Sequence, residues 1–168
     1  IRDFLIEGIS IGDSAIEYYQ ENFLKPNERN WYKNKKYLTS SFKTSNTLLQ
    51  SKQIDDWDYI QISYKPNDEN YTIEALSVGK TLKTDMCHKE LDLVIADISP
   101  IFSNSYATPK ETYKHDDPNA RAKSITSSTI KITNGVIVLA CYDKSFDSDF
   151  RIDLRTADFA KFLKTAYK

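Results

Sequence analysis

A two-residue turn signal constrains the fold of this 168-residue chain more than any other feature. Asn134-Gly135 lies between two runs rich in Ile, Val and Thr, within residues 129–142. Asn-Gly favours the type I′ turn that joins the two strands of a tight hairpin. With this turn, Ile132 pairs with Ile137, and Cys141 lies on the same face as Ile137. The sequence therefore predicts an antiparallel hairpin in the C-terminal third of the chain.

Alternating residue patterns predict further strands. Segment 58–64 alternates between apolar and polar residues, which is typical of a half-buried strand. Residues 65–70 have the composition of a turn, and a second strand follows at 71–78 and ends at Gly79. Residues 151–155 alternate in the same way. The sequence thus predicts a second hairpin and one additional strand.

Helical spacing of apolar residues predicts three helices. The clearest is 86–99, which carries a single apolar stripe. A first helix is expected from Ser14, because Ser14 and Glu17 have the spacing of a capping box, and Pro26 ends it. A last helix begins after Thr156 as its N-cap.

These elements predict one α+β domain spanning residues 1–168. Its core is an antiparallel sheet built from hairpins, with about three helices on one face of the sheet. The chain is long enough to bury such a core. Residues 103–124 interrupt the pattern as a polar loop without periodicity. Loops of this length are usually functional or disordered.

If the protein has a ligand or partner site, we expect the loop 103–124 to form part of its wall. Its tyrosines offer stacking area and its basic residues offer charge for an acidic group. The candidates are Tyr106, Lys110, Tyr113, Lys114, His115 and Arg121. The other interpretation, which we favour, is a mobile, solvated connection between the helix and the C-terminal hairpin. His115, Asp116 and Asp117 also suggest metal ligands, but adjacent loop residues rarely converge on one ion, so we predict no metal and no cofactor.

The two cysteines predict a disulfide and a compartment. Cys87 lies on the apolar stripe of helix 86–99, and Cys141 lies on the core face of its hairpin. If that helix covers that sheet, the two Cα atoms come within the roughly 7 Å that a disulfide allows. The chain opens on Ile1 rather than Met, from which we expect a removed signal peptide. Together these features predict a periplasmic or secreted protein with a Cys87–Cys141 disulfide.

Charge and hydropathy limit the partners that we expect. The net charge of -1 gives no overall attraction to nucleic acid or to an anionic membrane. No apolar run approaches the ~20 residues that span a bilayer. Segment 29–43 interleaves aromatic residues with cations, a pattern that can bind single-stranded nucleic acid. The alternative, which we favour, is a strand near 37–43 whose lysines protect an exposed edge.

The phrase Gly12-Asp13-Ser14 resembles the first block of the GDSL/SGNH hydrolases, in which the Ser is the nucleophile. Asp85 and His88 match the letters of the downstream Asp-x-x-His pair of that family. The resemblance implies a hydrolase that uses Ser14. In the family this pair lies near the end of a longer α/β chain, whereas about half of this chain follows it, and no βαβ rhythm is present. We favour Ser14 as a helix cap, with a hydrolase using Ser14 or the His115 loop as the alternative.

Several short phrases resemble uncharacterised predicted secreted proteins of marine bacteria. They are Glu7-Gly8-Ile9-Ser10-Ile11-Gly12-Asp13-Ser14, Cys87-His88-Lys89, Cys141-Tyr142-Asp143 and Asp158-Phe159-x-x-Phe162-Leu163. The resemblance implies a small exported domain and carries no assigned activity. A weaker likeness, limited to residues 8–14, is to the small outer-membrane assembly lipoproteins. It implies an interaction role in the cell envelope.

Taken together, these features predict an exported, non-enzymatic binding or interaction domain. Its partner is an unidentified small molecule or envelope protein. We base this prediction on three signals that the sequence lacks: a nucleophile–base pair in context, a glycine-rich phosphate loop and metal-ligand spacing. The alternatives are an SGNH-like hydrolase and a binder of single-stranded nucleic acid through residues 29–43.

Overall fold

One antiparallel sheet of eight strands, in the order β1-β2-β3-β4-β8-β7-β6-β5, forms the framework. A computed structural model describes residues 4–44, 56–102, 107–115 and 120–166. The strands are β1 Glu28–Arg29, β2 Leu38–Lys43, β3 Tyr59–Tyr64, β4 Ala75–Leu82, β5 Glu111–Tyr113, β6 Ser124–Ile132, β7 Gly135–Asp143 and β8 Ser148–Thr156. The helices are α1 Glu21–Leu24, α2 Thr84–Ile98 and α3 Ala157–Leu163, with 3-10 turns at Ala15–Glu17, Lys25–Asn27 and Ser99–Ile101.

Two meanders make up the sheet, and β4 and β8 join them. Strands β1 to β4 are neighbours in sequence order, and β5 to β8 continue the sheet in reverse order. Strand β8 is therefore paired on both sides, with β4 and with β7. Every side chain of β8 consequently projects from the middle of the sheet rather than from an edge.

The two faces of the sheet are packed by different helices, after which we name them. On the α2 face, Ile152 and Leu154 of β8 belong to the main core together with Leu91 of α2. On the α3 face, Phe159 of α3 belongs to a smaller cluster with Ala75 of β4. Successive β8 residues alternate between these two faces.

The predicted class, α+β with about three helices on one face, is wrong. The protein is mostly β, and its helices do not share one face of the sheet. Helix α3 follows β8 directly, but its Phe159 and Phe162 pack on the side opposite to α2. An apolar stripe shows that a helix packs on the sheet and leaves the choice of face open.

The predicted first helix, 14–26, is replaced by 3-10 turns and the four-residue α1. Ser14 makes no side-chain cap bond. Its hydroxyl instead donates to the carbonyl of Asn70 at 2.6 Å, and its backbone forms a β-bridge with Thr72. The capping-box prediction is therefore wrong, because pairing with a distant segment keeps Ser14 extended and overrides the local helix signal.

The C-terminal hairpin forms, with its turn one residue earlier than predicted. Thr133 and Asn134 make the turn, Asn134 with a φ of 66°, and Ile132 pairs with Gly135. Gly135 also pairs with the end of β8, which draws it into strand β7. The predicted pairing of Ile132 with Ile137 is thus wrong by two residues. An even shift leaves each side chain on its predicted face.

Strands β3 and β4 form the predicted second hairpin. Gly79, which the sequence predicts as a strand end, lies inside β4 between Tyr59 of β3 and Arg151 of β8. A Cβ atom at Gly79 would lie 2.1 Å from the hydroxyl oxygen of Tyr59. The glycine therefore lets the Tyr59 ring lie directly over the β4 backbone.

The predicted disulfide is confirmed. Cys87 of α2 is bonded to Cys141 of β7, with Cα atoms 6.0 Å apart. Both residues are fully buried, so the bond fastens α2 to the sheet inside the main core. Among the described residues, no helix has the length and apolar character needed to cross a membrane.

Candidate functional site

A row of charged residues lies on the α3 face of the central strand β8. Asp149, Arg151, Asp153 and Arg155 alternate with the apolar residues that face α2. The two aspartates are 8% and 5% exposed, although they carry formal charges. Charged side chains are almost never buried unless they are paired or used. This row is therefore the unusual feature of the sheet.

The aspartates of the row are well satisfied. Asp149 accepts hydrogen bonds from the Lys144 ammonium at 2.6 Å and from the Thr81 hydroxyl at 3.1 Å. Asp153 accepts hydrogen bonds from Arg155 and from the Ser77 hydroxyl. Each carboxylate is thus held by a cation and a hydroxyl, which offsets its loss of water.

Arg151 is held differently, between two aromatic rings. Its guanidinium carbon lies 4.1 Å from the ring centroid of Tyr142 on β7 and 5.3 Å from that of Tyr59 on β3. Both are cation–π contacts, which strengthen when water is excluded. The Tyr59 ring reaches this position by lying over Gly79.

Arg151 has few hydrogen-bonding partners. The distance from its Nη2 to Oδ2 of Asp149 is 3.7 Å, which is longer than a hydrogen bond. Its Nε is buried and has no hydrogen-bond partner within the described part of the chain. Burial opposes the charge of Arg151, but the surrounding tyrosine and aspartate side chains outweigh burial and raise its pKa. Arg151 is therefore a fixed cation whose donors are incompletely used.

A cavity of about 410 Å³ opens on this face, between the charged row and α3. Its floor includes Arg151, Asp153 and Arg155 of β8, together with hydroxyl groups from neighbouring strands. Trp31, Tyr32, Phe159 and Leu163 contribute aromatic and apolar surface, and Tyr142 and His115 also line the cavity. A volume of this size and a mixed lining are typical of small-molecule sites.

The structure brings one predicted ligand-contact residue to this cavity. His115 lines it, with its ring centroid 6.0 Å from that of Tyr142. Lys110 instead pairs with Asp92 of α2 at 2.5 Å. Three other candidates are exposed and are not among the lining residues: Tyr113, Lys114 and Arg121. Tyr106 lies outside the described residues.

The residues of the hydrolase resemblance occupy different surroundings. Ser14 donates its hydroxyl hydrogen to Asn70, and the described residues lining the groove around Ser14 include no histidine. The His88 ring lies 3.2 Å from Asp143 of β7, which also accepts a hydrogen bond from Ser148. A nucleophile needs a base within hydrogen-bonding reach, and Ser14 has a carbonyl there instead.

The aromatic residues of segment 29–43 serve mainly the fold. Tyr37 and Phe42 are 1% and 5% exposed, so neither ring is free to stack on a base. Trp31 is 40% exposed and lines the cavity. The segment forms β2, which pairs with β3 on one side and with the short β1 on the other.

The described residues contain no cluster of three or more His, Cys, Asp or Glu side chains suited to a metal ion. Comparison with protein-family models, with curated proteins and with solved structures finds no match to this chain.

Sequence reasoning missed the charged row of β8 as a site. Its signal in the sequence is the strict alternation from Asp149 to Arg155, in which one apolar residue lies between each charged residue and the next. Such alternation ordinarily describes a strand with one face in solvent. The site exists because β8 is the central strand, and the sequence of β8 does not show its position in the sheet.

Proposed function

We propose that this protein is an exported binding domain whose ligand occupies the cavity on the α3 face. The disulfide inside the main core fits folding in an oxidising compartment. The cavity offers convergent polar groups on its floor and aromatic surface on its sides. Its residues come from several strands and from α3, so the folded domain holds them in place.

One observation carries this proposal: a cation fixed in the middle of the sheet with unused donors. Arg151 lines the cavity with its side chain 23% exposed, and the carboxylate of Asp149 lies 3.7 Å from it, beyond hydrogen-bonding distance. Replacing buried charges by apolar residues of similar size is often neutral or stabilising. Stability alone therefore does not favour Arg151 at this position, and contact with a ligand does.

A cavity-filling variant tests the proposal. Gln61 lines the cavity from β3, and Trp is well tolerated in strands, so Gln61→Trp fills the space while keeping the sheet. Lys131→Trp is the matched control, because Lys131 is exposed on β6 and does not line the cavity. Amide shifts in two-dimensional NMR spectra are followed while a library of small organic acids, bases and neutral compounds is added.

We expect ligands to shift the amides of cavity residues in the wild type and in Lys131→Trp. The same shifts should be absent in Gln61→Trp, whose spectrum otherwise shows a folded protein. The proposal is wrong if the shifts persist in Gln61→Trp, or if no compound perturbs the cavity residues.

A further inference from the structure

The charges that line the cavity indicate the charge of its ligand. Arg151, Arg155 and Asp153 line it, so two fixed cations face one carboxylate. Arg155 and Asp153 are paired with each other. The carboxylate beside Arg151, that of Asp149, is 3.7 Å away, also binds Lys144 and does not line the cavity. Arg151 is therefore the lining cation that has no hydrogen-bonded carboxylate, and a single negative charge on the ligand would supply one. A second negative charge on the ligand would be repelled by Asp153 and would have no cation to pair with.

The contacts of Arg151 indicate the shape of the charged group. Tyr142 of β7 and Tyr59 of β3 both lie against the guanidinium, and we infer that a ligand meets the guanidinium at its edge. The Arg151 side chain is 23% exposed, and it lines the cavity. A planar carboxylate matches the edge of a guanidinium with two parallel hydrogen bonds.

The far end of the cavity indicates the remainder of the ligand. Arg151 and Arg155 are four residues apart on β8, a distance of about 13 Å along a strand. Arg155 is paired in register with Ala75, which packs in one cluster with Phe159 of α3. Phe159 of α3 thus provides an aromatic wall at the end away from Arg151, in addition to Tyr142 at the Arg151 end. Flat rings pack well against such walls.

Building on the proposed function, we propose that the cavity selects a small organic carboxylate with one negative charge and a flat apolar ring. The carboxylate binds the edge of Arg151, and the ring packs against the wall formed by Tyr32, Phe159 and Leu163. Arg155 and Asp153 remain paired with each other. No element of this arrangement requires a bond to be made or broken, so the inference concerns binding alone.

Calorimetric titration with three probes tests the chemistry. The probes are 3-phenylpropionate, its uncharged amide and inorganic phosphate. We expect the carboxylate to bind at least about ten times more tightly than the amide, because a charge-assisted bidentate contact is lost in the amide. Phosphate, which lacks the ring and carries more charge at neutral pH, should bind at least about ten times more weakly.

Two substitutions assign the contact to Arg151. Arg151→Met keeps an unbranched side chain between the two rings, and we expect about a ten- to hundred-fold loss of affinity for the carboxylate with little change for the amide. Arg151→Lys keeps the charge without the planar fork and should bind at an intermediate level. Lys131→Met removes an exposed cation outside the cavity and should leave both affinities unchanged.

The results separate this inference from the proposed function. Equal binding of acid and amide, tighter binding of phosphate, or full affinity in Arg151→Met in a folded variant would overturn the inference. If Gln61→Trp still abolishes binding in those cases, the cavity remains a binding site for another class of ligand. If Gln61→Trp does not affect binding, the proposed function itself is wrong.

Discussion

Removal of the disulfide should destabilise the protein by an amount that the fold specifies. The bond joins residues separated by 54 positions, from α2 to β7. On the chain-entropy model, a loop of this size contributes about 4 kcal/mol at 25 °C by restricting the unfolded chain. Cys87 and Cys141 are fully buried, so the Ala/Ala double variant also loses packing around the two sulfur atoms.

Guanidinium denaturation of three samples separates these two effects. The oxidised wild type, the reduced wild type and the variant Cys87→Ala/Cys141→Ala are followed by tryptophan fluorescence. We expect the free energy of unfolding to fall by about 4 kcal/mol on reduction, and further in the variant. Equal stability of oxidised and reduced protein, or two titratable thiols in unfolded, unreduced protein, would refute this reasoning.

Three further perturbations have expected outcomes. Gly79→Ala should lower the free energy of unfolding by about 1–3 kcal/mol, because the new methyl group displaces the Tyr59 ring. Adding Tyr59→Ala should remove most of this clash, and chemical denaturation of the single and double variants measures the difference. Ser14→Ala removes the hydrogen bond to Asn70 and should cost about 1 kcal/mol in the same assay, and a fluorophosphonate probe should leave Ser14 unlabelled. Burial raises the pKa of Tyr64, so above about pH 10 this tyrosine loses its proton in the unfolded chain before it does so in the folded protein. The free energy of unfolding should then fall by about 1.4 kcal/mol per pH unit for each such tyrosine. Tyrosinate absorbance that rises well before unfolding would contradict this last expectation.

The features predicted correctly depend on local pattern and on one long-range inference. Helix α2 is predicted by the helical spacing of its apolar residues, and the β3–β4 hairpin is predicted by alternation along the strands. The disulfide follows from two such patterns, because Cys87 and Cys141 each lie on the apolar side of an element. Here both apolar sides pack in the main core, and this brings the two cysteines together.

The features predicted wrongly depend on pairing with distant segments. Asn134-Gly135 is a strong turn signal, but Gly135 enters β7 because β8 offers it a second partner. Ser14 has the spacing of a helix cap, but its backbone and hydroxyl are taken by residues some fifty-six to fifty-eight positions away. Local propensities differ by less than about 1 kcal/mol, which a few long-range hydrogen bonds exceed.

The candidate site depends on an imbalance between helix and strand lengths that no local pattern reveals. Helix α2 has 15 residues and is about 22 Å long, which is enough to cover much of its face of the sheet. Helix α3 has 7 residues and is about 10 Å long, whereas β8 has 9 residues and runs for about 30 Å. Helix α3 therefore covers the end of β8 near Arg155 and does not extend over Arg151, whose side chain is 23% exposed. An apolar residue at position 151 would expose apolar surface to the cavity. Arginine, in contact with Tyr59 and Tyr142, instead presents a polar edge to the cavity.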